Sequence, residues 1–383
     1  MNPISARQAA AAVFRPVDSP NVAWRHQAEN DSCSTPSFVA DGHVVASDGE
    51  HLLYLEADGS RCWDRPTGGW TPFRPAARPS GGALWAPEGG ALHAYDAAGN
   101  KPWIFGHGMQ MASIQPAVAP NGDVFVCMRD AERRAPCLLR LSAAGDEIWR
   151  APLPMHASAP PLPDGTGGAI VRCDDDRVIH LDGNGREVWN RPLPERLNGR
   201  PALAPDRSVW IGNDCGQLFR IGSEGEARAV FQADGQLRGA PAFDGDRAYV
   251  TSMDRRLYAL DLQGREIWRH DVGEFLEDGA VVLPDGTVVV AGFEGAIHAL
   301  TRSGQLAWTE RVGRSPSALV TDGRGTVVLG ARAQVVALRP GAALETLERH
   351  APLEEPPAIT HEDGWIVVDN VRVPRRGGPS VKR

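Results

Sequence analysis

The sequence predicts an all-β chain built as a single β-propeller of four-stranded blades. Three observations carry this. A short motif recurs every 40 residues or so, each copy is preceded by a strand-turn-strand pattern, and helix-period patterning is absent apart from a weak stretch near residues 5–13.

The motif is clearest at residues 257–268, "LYALDLQGREIW", where an apolar run meets an acidic residue, a turn glycine and a tryptophan four residues later. Gly59 and Trp63, Gly99 and Trp103, Gly145 and Trp149, Gly185 and Trp189, Gly264 and Trp268, and Gly304 and Trp308 repeat that spacing. Two copies are worn. One keeps Gly225 with Ala229 in place of tryptophan, and the other keeps Gly341 with none. From Gly59 to Gly304 the steps are 40, 46, 40, 40, 39 and 40 residues.

Before each motif come two further apolar segments around a tight turn, as in "PAFDGDRAYVTSM" and "VVLPDGTVVVAGF". Asn121-Gly122, Asp244-Gly245 and Asp285-Gly286 are hairpin dipeptides. Each unit thus supplies four strands in about 40 residues, the make-up of a propeller blade. A large flat tryptophan ring suits the wedge between twisted neighbouring sheets.

The repeat resembles that of the PQQ-type β-propellers, the family of the quinoprotein alcohol dehydrogenases and BamB-like proteins, over roughly residues 20 to 375. The resemblance implies that Trp63, Trp103, Trp149, Trp189, Trp268 and Trp308 pack against the neighbouring blade. It implies little about function.

Ring closure follows from the ends. Trp24 lies 39 residues before Trp63, as in an outermost strand with no blade before it. The segment "PPAITHEDGWIVVDNVRV" resembles inner strands lacking an outermost one. Joining them removes the exposed edge. Counting units gives nine blades, with eight left open. Residues 1–19 are expected to be an N-terminal extension, 20–375 the propeller and 376–383 a disordered tail.

Composition limits the function. The net charge of −8 argues against a nucleic-acid partner, which needs clustered Lys and Arg. No run of about 18 apolar residues and no signal peptide is found, so a soluble, cytoplasmic, monomeric protein without membrane contact is expected. No two of the six cysteines are adjacent or in a CxxC pair, and Cys62, Cys127 and Cys137 are read as small core residues. The adjacent cysteine pair that the resemblance associates with a bound quinone is therefore missing, and no cofactor is expected.

Chemistry must sit where the repeats differ, because a motif shared by every blade is structural. The loops from each outer strand to the next inner strand, and those between second and third strands, are expected on one face around the channel. Arg74, Arg200, Arg238 and Arg314 lie in the first set and could clamp a carboxylate or phosphate. His107, His156, Glu274 and Glu277 are the candidate general acids or bases. His107, Met109, Met111, Met155 and His156 offer soft-metal donors, but methionine also fills gaps at loop bases, and no metal is assigned. The expected function is binding of a protein, peptide or small-molecule partner on the loop-rich face. The alternative is a cytoplasmic enzyme, for example one of specialised metabolism, with a His/Arg/Glu site at the channel mouth and no quinone.

Overall fold

The computed structural model describes residues 21–29, 34–66, 74–86, 90–106, 110–111, 114–129 and 135–339, and three strands between 359 and 374. Apart from a single 3-10 turn at Ala40–Gly42, the regular structure among them is all β. The first unit, Met1–Ala343, forms a ring of eight antiparallel blades. Blades 1 to 7 occupy residues 37–66, 76–105, 117–152, 162–192, 202–232, 242–271 and 281–311. Blade 3 carries an additional short strand, Gln110–Met111, paired to its second strand.

Blade 8 closes the ring. Its three inner strands run through residues 320–338, and its outermost is Val22–Gln27, paired antiparallel to Gln334–Leu338. This settles the count at eight. The unit near residue 340 and the split blade are one blade, because Val22–Gln27 supplies the outermost strand of the former. The N-terminal strand therefore does not take "PPAITHEDGWIVVDNVRV" as its partner. Within the second unit, Leu344–Arg383, those residues make a separate three-stranded meander of Ile359–Glu362, Trp365–Val368 and Val371–Pro374. Residues 1–19 and 376–383 lie outside the described residues.

Strand length and burial follow distance from the axis. Inner strands are mostly two residues long, as at Ser37–Phe38 and Ala202–Leu203, while outer strands such as Glu187–Pro192 reach six. Second strands are sandwiched between neighbouring blades, so Val44–Ser47 and Val209–Gly212 are buried throughout and do not alternate. Outer strands such as Glu147–Pro152 keep one face to water and alternate.

The core therefore lies between blades. Leu53 and Leu55 of blade 1, for example, pack with Val328, Val335 and Ala337 of blade 8. The repeated glycine and tryptophan belong to this interface, and they meet across it rather than within one motif. A Cβ added at Gly145 would lie 2.7 Å from the Trp103 ring, at Gly185 2.9 Å from Trp149, and at Gly304 2.7 Å from Trp268. Each of these glycines also has a positive φ (91°, 75° and 86°). The indole then donates to the carbonyl two residues before the glycine: Trp103 to Ala143, Trp149 to Gly183 and Trp268 to Arg302. Where the tryptophan is lost, in blade 5, the Val230 carbonyl oxygen and Cβ lie against Gly264 instead, 2.4 and 2.7 Å from an added Cβ.

Candidate functional site

The loops that lead into the inner strands surround a central channel of about 830 Å³. Thr35, Gln115, Ser158 and Asn198, from the loops that enter blades 1, 3, 4 and 5, contribute to its wall. Three guanidinium groups reach it: Arg74 before the inner strand of blade 2, Arg172 at the end of the second strand of blade 4, and Arg200 before blade 5.

The three are satisfied to different degrees. Arg172 is 6% exposed and donates to the carbonyl oxygens of Ser158 and Leu197, but its Nε is buried without a partner. Arg200 Nη1 forms an ion pair with Asp278 Oδ1 at 3.1 Å. Arg74 makes no ion pair among the described residues, and its Nε too is buried and unpartnered. Burial, then the nearby positive charge of Arg200, lowers the Arg74 pKa from its ordinary value. Burial likewise lowers that of Arg172, against the pull of Asp174. Asp278 is pushed up by burial, with the Arg200 charge opposing. Two under-satisfied cations thus face one channel, an arrangement whose natural complement is an anion.

The other sequence candidates lie apart from this wall. Arg238 sits at the rim, paired with Glu277 at 3.2 Å and 3.9 Å from Asp214, which also accepts from Asn198 Nδ2 at 2.6 Å. Arg314 is exposed and paired with Glu294 at 2.6 Å. Glu274 braces blade 7: its carboxylate accepts from the Glu294 and Ala296 amides and pairs with Arg311. The His156 carbonyl accepts from the Asp174 amide. His107 and Met109 lie outside the described residues, Met111 is described only by its backbone pairing with Met128, and Met155 is exposed.

Two features escaped the sequence reading. Arg172 was hidden at the end of an apolar strand, "AIVR", whose single charge was the available signal. Cys62 is not a core residue like Cys127 and Cys137: it is exposed, on a water-facing position of the outer strand Arg61–Pro66. The Cys62 thiol is pushed up to about 12, first by loss of hydration and then by the Glu56 carboxylate that accepts a hydrogen bond from it.

The model of the family described as outer membrane protein assembly factor BamB matches residues 88–239 and 174–342, together about two-thirds of the chain. The chain belongs to the PQQ-type, BamB-like β-propeller family. Its ring is similar to the crystal structure of BamB from Moraxella catarrhalis, at 16% identity over 82% of this chain and 98% of that one, with a TM-score of 0.64. It is similar also to the computationally designed Ika8 protein (15% identity, 82% and 97% covered, TM-score 0.65). A third likeness is the quinohemoprotein alcohol dehydrogenase ADHIIG from Pseudomonas putida HK5 (13%, 89% and 79%, TM-score 0.61). No curated protein matches by sequence. At these identities the neighbours share the fold with this PQQ-type propeller. The described channel wall holds neither a cysteine nor a tryptophan against which a flat quinone could stack, so its residues do not fit that cofactor.

Proposed function

We propose that this PQQ-type propeller is a binding protein that takes a protein or peptide partner at its channel mouth, seating a carboxylate of that partner among Arg74, Arg172 and Arg200. The observation that carries the reading is Arg74, a half-buried guanidinium at the channel wall whose Nε is buried without a partner and which makes no ion pair among the described residues. A buried cation left unpaired costs stability, and a ligand carboxylate would relieve that cost. A macromolecular partner is favoured because the matching family model describes an assembly factor. The enzymatic alternative gains no support from geometry: the Glu274 carboxylate is held by backbone amides and Arg311, and Glu277 pairs with Arg238.

Fluorescence anisotropy with labelled hexaglutamate tests the proposal. Saturable binding should weaken at least about tenfold in Arg74→Met, the loss expected for a charge-assisted hydrogen bond, and fall with added salt. Arg314→Met should bind as the wild type does. Equal binding by the wild type and Arg74→Met would overturn the assignment.

A further inference from the structure

Blade 1 departs from the other blades at one place. His43 precedes its second strand, Glu56 follows its third, and Cys62 lies on its fourth. The pairing of Val44 with Leu55 and of Leu55 with Arg61 brings these three positions side by side. Glu56 Oε2 is 2.9 Å from His43 Nε2, and Glu56 Oε1 accepts from Cys62 Sγ at 3.1 Å. The three donor atoms all lie within 4.8 Å of one another.

The repeat shows what is unusual here. The same positions hold Gly168, Asp182 and Val188 in blade 4, and Thr287, Thr301 and Ala307 in blade 7. At the Glu56 position three blades carry an aspartate that caps its turn: Asp96 accepts from the Ala98 and Asn100 amides, Asp182 from those of Asn184 and Arg186, and Asp261 from those of Gln263 and Arg265. In blade 1 Asp58 accepts from the Ser60 amide, and the longer Glu56 side chain is turned toward His43 and Cys62. The imidazole is held by the Tyr54 ring 5.3 Å away, itself stacked on Trp63 at 4.9 Å.

From this convergence we propose that His43, Glu56 and Cys62 form a binding site for a zinc-class divalent cation. Imidazole, carboxylate and thiolate are all zinc ligands, and the mixed set excludes calcium and magnesium, which take oxygen donors. Tetrahedral coordination at ordinary zinc distances separates neighbouring donors by about 3.3–3.7 Å. The two hydrogen-bonded contacts, 2.9 Å to Glu56 Oε2 and 3.1 Å to Glu56 Oε1, therefore need to open by about half an ångström, and because they use different oxygens the carboxylate must turn to offer one of them to the metal. The Cys62 proton passes to solvent as the thiolate binds. With three protein ligands a fourth, water-exchangeable position stays open at the blade surface, since Glu56 and Cys62 are both exposed.

Cobalt(II) titration of the purified full chain tests the site. A thiolate-to-cobalt charge-transfer band should develop to about one equivalent and be removed by zinc(II). Cys62→Ser should abolish the band, and His43→Ala should weaken metal binding at least tenfold, while Cys215→Ser leaves both unchanged. Far-UV circular dichroism confirms that each variant is folded. If Cys62→Ser misfolds, loss of the band in the wild type on prior alkylation of Cys62, mapped by mass spectrometry, carries the same decision. Absence of the band, or its persistence in Cys62→Ser, would overturn the proposal.

Discussion

Replacing Gly185 by alanine tests whether the repeated glycine is reserved for the tryptophan of the preceding blade. Gly185 has φ 75°, where an L-residue costs about 1–2 kcal/mol. Its added Cβ would sit 2.9 Å from two Trp149 ring carbons, and forcing the ring aside costs about 1–3 kcal/mol. The single variant should thus lose about 2–5 kcal/mol. Trp149→Ala removes a side chain that is 9% exposed, packs edge-on against Phe125 and donates to Gly183, and should cost about 3–5 kcal/mol. In the double variant the ring is gone and only the backbone strain of Gly185→Ala remains. The two losses should fall short of additivity by about 1–3 kcal/mol. Urea unfolding of the four proteins followed by far-UV circular dichroism supplies the cycle. If Gly185→Ala costs the same with and without Trp149, the ring contact is not what reserves the position.

Arg74→Met should stabilise the unliganded protein by about 1 kcal/mol in urea unfolding, because a half-buried cation with an unpartnered Nε is replaced by an apolar chain of similar length; a loss of stability would show the guanidinium to be structural. Trp24→Ala should cost about 3–5 kcal/mol and raise light scattering on heating, since Trp24 is 5% exposed at the closing strand and donates to Ala57; an effect no larger than that of a surface substitution would show the closure to be held elsewhere. His270 Nε2 and His298 Nδ1 lie 3.0 Å apart between blades 6 and 7, and burial lowers both pKa values below the ordinary 6.5. The folded state prefers both rings neutral, so their contribution is complete above pH 6.5 and is lost as pH falls below it. The melting temperature should drop between pH 7.5 and 5.0, and His270→Gln should flatten that slope; an unchanged slope would remove the pair as its source.

Local patterning carried most of the fold. Glycine and tryptophan at fixed spacing, hairpin dipeptides and apolar runs identify blades because each reflects contacts inside one blade or with the next. The blade count needed a contact of a different kind, the pairing of Val22–Gln27 with Gln334–Leu338, which no local pattern specifies. The binding candidates divide along the same line. Arg74 and Arg200 sit in loops that lead to inner strands, and topology carries such loops to the axis. Arg314 lies in a comparable loop but is turned to Glu294, a choice made by side-chain packing. Arg172 belongs to a strand and was invisible to a search of loops. The His43, Glu56 and Cys62 set was obscured because blade alignment, not sequence proximity, brings its members together.

The closing strand also sets an order on folding. Arg25 and Gln334, which hydrogen-bond in blade 8, are separated by 309 residues. At ordinary rates of synthesis about 15–60 s pass between the appearance of the first and the second. During that interval blade 1 can form with its neighbours as they emerge, while Val22–Gln27 waits with its backbone amides and carbonyls unpaired. The ring is therefore a clasp fastened after translation of the repeats, and a rival strand that reaches Val22–Gln27 first would produce a linked dimer rather than a misfolded blade.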